Sequence, residues 1–251
     1  GIVGMEALAK SPPDGYTLGL GHDGTMAINT VLYRKLSYDP AKDFAAVAPL
    51  AINEFVLIAN ARTNVRSVAD FVKAVKAPDN AATYASAGIG TPNHVFMEQL
   101  LQRIGGAALH VPYRGGATAA TDVAGGQVQF MLAGLAPALP LINAGHVTAV
   151  AVVQPTRSKM LPEVPTLGEM FPDFALETWF GLFAPAGTPD GIVTRLGTEI
   201  RDILARADFV EKLSQQGMTV KTGSAQSLAE QVRQDIAHYQ ELATKIKLEA
   251  N

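Results

Sequence analysis

The sequence predicts an α/β fold with mainly parallel sheets and helices on both faces. Three observations carry this. Apolar runs of strand length alternate with helical segments along the chain, and a strand–helix–strand succession builds a parallel sheet. Glycine is frequent, at 23 residues, while Phe, Trp and Tyr together make up only 7%. That balance suits tightly packed α/β layers better than an aromatic-rich β-sandwich. The length of 251 residues allows one large domain or two lobes, and either size can bury a full core.

Each element has a local reason. Tyr16–Leu20 reads as a short strand ended by Gly21-His22-Asp23-Gly24, and Thr25–Leu32 reads as helix. Ala46–Ala51 and Phe55–Ala59 are apolar runs of strand length. Ser67 opens a helix over Val68–Lys76, with Asp70 three residues on to complete a capping box. Thr83–Ala85 is a strand before a Gly-rich turn. Thr91 caps the next helix, with Pro92 at the favoured first position and Val95, Met97, Leu100, Leu101 and Ile104 on its apolar face. The alternation continues as strand Leu109–Pro112, helix Ala117–Ala124, strand Val128–Leu132, helix Ala138–Asn143 and strand Val147–Val153. Four prolines (Pro155, Pro162, Pro165, Pro172) loosen the stretch Gln154–Asp173. Leu176–Ala184 returns to strand, Thr188-Pro189 opens a helix to about Ala205, and Ser224 or Ser227 opens the last one, to about Lys247. The chain shows no fixed-period repeat and no low-complexity segment.

Composition excludes several function classes. Twenty Lys and Arg against 23 Asp and Glu give a net charge of −3, with no basic block, so nucleic acid is not an expected partner. Hydrophobic residues make up 48% and charged ones 17%, which argues against disorder and coiled coils. No apolar run reaches the ~18–20 residues of a membrane span, so a soluble protein is expected. Cysteine is absent, which removes thiol nucleophiles, disulfides, thiolate zinc sites and iron–sulfur clusters while leaving the compartment open.

Gly19-Leu20-Gly21-His22-Asp23-Gly24 is a literal GxGxxG after a strand and before a helix, and it supports an alternative reading as a nucleotide-dependent α/β enzyme. The acidic partner that a dinucleotide site needs ~20 residues on would be Asp39 or Asp43, both in a segment that reads as loop. Two other turns say more. Ala85–His94, ASAGIGTPNH, is a strand end, two glycines and a helix start. Free N–H groups and the positive helix end there could hold a carboxylate, helped by the Ser86 and Thr91 hydroxyls. An ordinary capped turn is the competing reading. Val111–Gly116, VPYRGG, repeats the pattern and adds Arg114, a cation able to fork onto a carboxylate or simply to sit in a surface ion pair. Turns of this kind collect at the carboxyl edge of one sheet.

Catalytic signals are poor. His22, His94, His110, His146 and His238 are scattered with no metal-binding pair, and GxSxG and GxxxxGK[ST] are both missing. His94, one turn into its helix, is expected to brace the loop rather than to shuttle protons. No cofactor and no metal are expected.

Seven stretches together carry a specific resemblance: ALAKSPPDGYTL at Ala7–Leu18, YDPAKDFAAVAPL at Tyr38–Leu50, ASAGIGTPNH, VPYRGG, TDVAGGQVQFML at Thr121–Leu132, LPEVPTLGEM at Leu161–Met170 and TWFGLFAPAGTP at Thr178–Pro189. In order and spacing the chain resembles the solute receptors of tripartite tricarboxylate transporters, the Bordetella uptake-gene family of periplasmic binding proteins. The resemblance implies a two-lobed, type II-like binding protein of the Venus-flytrap kind. One lobe would be residues 1–57 with 178–251, and the other 58–177. It implies a periplasmic, monomeric, non-catalytic receptor for a small organic carboxylate (a di- or tricarboxylate or an aromatic one), handed on to the transporter's membrane components. The ligand would be held largely by backbone amides and water. Ser86, Ala87, Gly88, Gly90, Thr91, His94, Arg114, Gly115, Gly116 and Gly134 would line the second lobe's side of the cleft, and His22, Asp23, Thr25 and Trp179 the first lobe's. Ala133-Gly134 stands where many relatives carry an acid, which favours a plain carboxylate over an amino acid. The family also implies a further strand, ligand-gripping loop and helix ahead of Gly1, with Gly1–Lys10 as the tail of that material.

Overall fold

The computed structural model describes residues 1–78, 81–172, 174 and 176–244. The chain divides into two compact units, Gly1–Ile52 with Thr178–Asn251, and Asn53–Glu177. The first boundary therefore falls ahead of the expected Leu57/Ile58 junction. The reason is strand β3, which belongs whole to the second unit's sheet.

The first unit opens with helix α1 (Ile2–Ala9), where the sequence reading placed only a tail. Strand β1 (Gly19–His22) follows, then a five-residue π-helical turn (Gly24–Ile28) running into α2 (Asn29–Leu32). Strand β2 spans Phe44–Asn53. After the second unit, the chain returns through β8 (Thr178–Pro185), α7 (Asp190–Leu204), α8 (Ala207–Gln215), β9 (Met218–Val220) and α9 (Ala225–Ala243). Ser224 caps α9, its side chain accepting from the Ser227 amide; the expected end near Lys247 lies outside the described residues. The strand order is β1-β8-β2-β9, and β1 pairs antiparallel with β8. Met5, Leu8, Met26, Trp179, Phe183, Leu228 and Val232 form this unit's core.

The second unit holds β3 (Phe55–Asn60), α3 (Val68–Val75), β4 (Thr83–Ser86), α4 (Pro92–Ile104), β5 (Leu109–Pro112), α5 (Gly116–Gly125), β6 (Phe130–Gly134), α6 (Leu135–Asn143) and β7 (Val147–Val152). Its five strands run in the order β5-β4-β6-β3-β7. β5, β4 and β6 are mutually parallel, whereas β3 is antiparallel to both β6 and β7. The sheets are thus mixed rather than mainly parallel.

Every residue of β3 is buried, because its alternating side chains enter two different cores. Phe55, Leu57 and Ala59 pack with Phe71, Phe96 and Leu100 from α3 and α4. Val56 and Ile58 pack with Ala119, Val123, Leu135 and Ala138 from α5 and α6. A strand buried on both faces reads as a continuous apolar run, and that is why FVLIAN shows no alternation. Ser67 caps α3 as expected, its hydroxyl accepting from the Asp70 amide at 3.1 Å. The expected capping box is not closed: the Asp70 carboxylate accepts from the Arg66 amide at 3.1 Å and the Ser67 hydroxyl at 2.8 Å. Among the described residues no helix is long and apolar enough to cross a membrane.

Candidate functional site

Three neighbouring parallel strands of the second unit each lead straight into a helix. β4 runs through residues 87–91 into α4, β5 through Tyr113–Gly115 into α5, and β6 into α6 with Gly134 as its N-cap. Three helix N-termini therefore stand at the carboxyl edge of one sheet, with first-turn amides and positive dipole ends directed there. Glycine is required at two of these turns. Gly88 and Gly115 have φ of +135° and +152°, where L side chains are strained. A Cβ on Gly116 would lie 3.9 Å from the Ala87 Cβ, so the first two turns sit side by side.

The 87–91 loop is braced from within. The Gly88 amide donates to Ser86 Oγ at 3.1 Å, the Thr91 hydroxyl donates to the Gly88 carbonyl at 2.7 Å, and the Gly90 amide donates to His94 Nδ1 at 3.1 Å. Ser86 Oγ lies 2.7 Å from His110 Nε2 and 3.1 Å from the Gly88 carbonyl. One proton arrangement satisfies the whole network: His110 Nε2–H to Ser86 Oγ, and the Ser86 hydroxyl to Gly88. The side chain of Asn93, buried in the first turn of α4, donates to the Leu132 carbonyl of β6 at 2.6 Å.

The sequence reading expected Ser86 and Thr91 to offer hydroxyls to a ligand. Ser86 is fully buried and its oxygen is committed to His110 and the loop. Thr91 is the N-cap of α4, but its side chain turns back to Gly88 instead of capping. Ala87 and Gly88 are half-buried, Gly90 is buried, and Arg114 is exposed beside half-buried Gly115, Gly116 and Gly134.

Behind the loop three rings stack. His94 and His110 lie 4.1 Å apart at an interplanar angle of 14°, and Tyr84 stacks on His110 at 4.8 Å. The Tyr84 hydroxyl donates to Glu98. Burial, then the neighbouring His94, pushes the His110 pKa down to about 4. Burial also lowers His94, with Glu98 opposing. Sequence reasoning missed His110, Tyr84 and Asn93. The available signal for His110 was its place in a strand beside β4, where it registers with Tyr84.

In the first unit, Thr25 Oγ1 accepts from the His22 amide at 3.1 Å, and the Gly24 amide donates to His22 Nδ1 at 3.1 Å. Asp23 is fully buried, and neither of its carboxylate oxygens has a hydrogen-bond partner among the described residues. His22 Nδ1 stands 3.6 Å away, and burial raises the Asp23 pKa. Trp179, expected at the ligand, is a core residue at 1% exposure whose indole N–H donates to Asp235 at 2.6 Å.

The GxGxxG reading fails on geometry. Gly19–His22 is a strand paired antiparallel with β8 and lies at its sheet's edge, so no parallel βαβ unit is formed there. A Cβ would meet Leu8 at 2.5 Å on Gly19, Phe183 at 2.6 Å on Gly21 and His22 at 2.7 Å on Gly24. These glycines permit close packing and leave no room for a pyrophosphate. Asp39 is engaged by Lys42 at 2.7 Å, and Asp43 accepts from the Asp39 amide at 2.7 Å. Among the described residues no group of three or more His, Cys, Asp or Glu could hold a metal ion.

Comparisons with known proteins converge. The family model described as the tripartite tricarboxylate transporter family receptor, TctC, matches residues 1–248. A Pseudomonas sp. protein named for the tcbD-tcbE intergenic region is 34% identical over 100% of this chain and 75% of its own length. Among solved structures, an R. palustris protein with adipate superimposes with a TM-score of 0.87 at 32% identity, covering 97% of this chain and 82% of that one. MatC from Rhodopseudomonas palustris with bound malate does so with a TM-score of 0.81 at 30% identity, covering 96% and 83%. The chain belongs to the family of tripartite tricarboxylate transporter receptors.

Proposed function

We propose that this chain is a periplasmic receptor that binds a small organic carboxylate and hands it to the membrane components of a tripartite tricarboxylate transporter, as a single chain and without catalysing a reaction. The observation that carries the reading is the convergence of the α4, α5 and α6 N-termini on one sheet edge. Backbone amides and helix dipoles there favour an anion without any catalytic group. Gly88, Gly90 and Thr91 shape the first turn, their amides held within the loop by Ser86, His94 and the Gly88 carbonyl. Ala87, Gly115, Gly116 and Gly134 supply the backbone beside it, and exposed Arg114 supplies a cation able to take a second carboxylate oxygen pair. Ser86 and His94 act from behind by holding the loop. The adipate and malate of the two solved relatives support a dicarboxylate among the possible ligands. Ala133-Gly134 places no acid at the start of α6, which fits a ligand without an ammonium group.

Calorimetry with adipate, malate, citrate and the neutral diamide of adipate tests this. Binding of at least one carboxylate, with none of the diamide, is expected. Failure of every carboxylate to bind overturns the reading.

A further inference from the structure

The His94 ring makes a contact whose sign depends on one proton. Nδ1 accepts from the Gly90 amide, so that nitrogen must carry no hydrogen. His94 is 6% exposed and its ring stacks on His110 at 4.1 Å, so a charged ring there is poorly solvated. The groups facing it are Tyr84 from β4, His110 from β5 and Glu98 one turn further along α4. β6, which also packs on α4, brings no titratable residue. On α5 the acid is Asp122, which engages the Tyr113 hydroxyl. Gly90, in turn, sits at a φ of +76° between Gly88 at +135° and the start of α4. Other hydrogen bonds of the loop fall on Ser86, Gly88 and Thr91, and the Gly90 amide is held by His94.

We propose that His94 is a proton-operated latch on the 87–91 loop: with the ring neutral, Nδ1 pins the Gly90 amide and the loop keeps its anion-binding form. A proton on Nδ1 removes the acceptor, puts two N–H groups face to face and frees the loop. His94 is a positioning residue in this scheme, acting on a ligand through Gly90. The direction follows from its environment. Burial disfavours the charged ring, so the braced loop holds above the ordinary histidine range and weakens as pH falls below it. Ser86 and His110 do not share this behaviour, because His110 Nε2 donates in the arrangement that satisfies the loop, and it would keep that hydrogen when protonated.

The effect on ligand affinity rests on the function proposed above, whereas the latch does not. Two measurements keep them apart. In the full chain without ligand, labelled on glycine nitrogen and histidine ring carbon, nuclear magnetic resonance follows Gly90 and His94 from pH 7.5 to pH 4.5. The Gly90 amide is expected to move with the same midpoint as the His94 ring, below the ordinary histidine value. A Gly90 signal indifferent to that titration overturns the latch, whatever the ligand. Calorimetry with adipate at pH 7.5 and pH 5.0 then compares the natural chain with His94→Gln, whose side-chain oxygen can accept but does not titrate. The loss of affinity on acidification is expected to be about tenfold or more larger in the natural chain, the equivalent of about one pH unit of linkage. Adipate's own protonation is common to both chains. Equal losses overturn the proposal that the latch controls binding. Absence of adipate binding at either pH counts against the carboxylate reading for this probe and leaves the resonance experiment to decide the latch.

Discussion

The Asn93 side chain donates to the Leu132 carbonyl at 2.6 Å, fastening the first turn of α4 to the strand that leads into α6. The start of α4 is thereby tied by a buried bond to β6, two residues ahead of the α6 N-cap. Replacing Asn93 with Leu leaves the Leu132 carbonyl without this donor, and a buried polar group losing its partner costs about 1–3 kcal/mol. Urea unfolding should show a destabilisation of that size. Amide exchange should speed up first at the start of α4.

Asp23 carries the second prediction. An unfolded chain ionises aspartate near its usual ~3.9, whereas burial holds the Asp23 proton to higher pH in the folded state. Within the interval between those two values the folded state binds more protons, so its stability falls as pH rises. Asp23→Asn keeps the shape of the protonated acid and removes the ionisation. The variant should be about 1–3 kcal/mol more stable than the natural chain at pH 7.5, the cost of an unsatisfied buried group, and the difference should shrink at pH 4. A variant less stable at both pH values would show that an ionised Asp23 is stabilised by its surroundings.

Gly21 tests why the GxGxxG stretch is glycine-rich. A methyl group there would lie 2.6 Å from the Phe183 ring and 2.9 Å from Met26 Cγ, both core side chains. Gly21→Ala should therefore cost about 1–3 kcal/mol through overpacking, read as a lower thermal or urea midpoint. An unchanged midpoint would mean that Phe183 and Met26 move aside freely.

Much of the alternation of strand and helix was legible because its signals are local. The Ser67/Asp70 cap, the Thr91-Pro92 start and the apolar runs of β2 and β3 each act within a few residues. α1, α8 and β9 escaped notice for related reasons. α1 (IVGMEALA) is apolar on nearly every side, so it shows no periodicity, although only Met5 and Leu8 are buried. The N-cap of α8 is Arg206, with no capping hydrogen bond, and β9 has only three residues. Strand direction was misjudged because β3 enters the sheet between β6 and β7, a pairing across more than 70 residues that no local pattern encodes. At the site, the glycines pointed to the loops. The commitments of Ser86 and Thr91 did not show, since a hydroxyl looks the same in sequence whether it faces a ligand or its own backbone.

The positive φ values at Gly88, Gly90 and Gly115 bear on protein engineering. These three positions admit almost no side chain, so a library that randomises them would mostly sample broken loops. Diversity meant to redirect ligand choice belongs instead at Ile89 and Arg114, which are exposed next to those glycines. There a new side chain can reach the same space without disturbing the backbone that defines it.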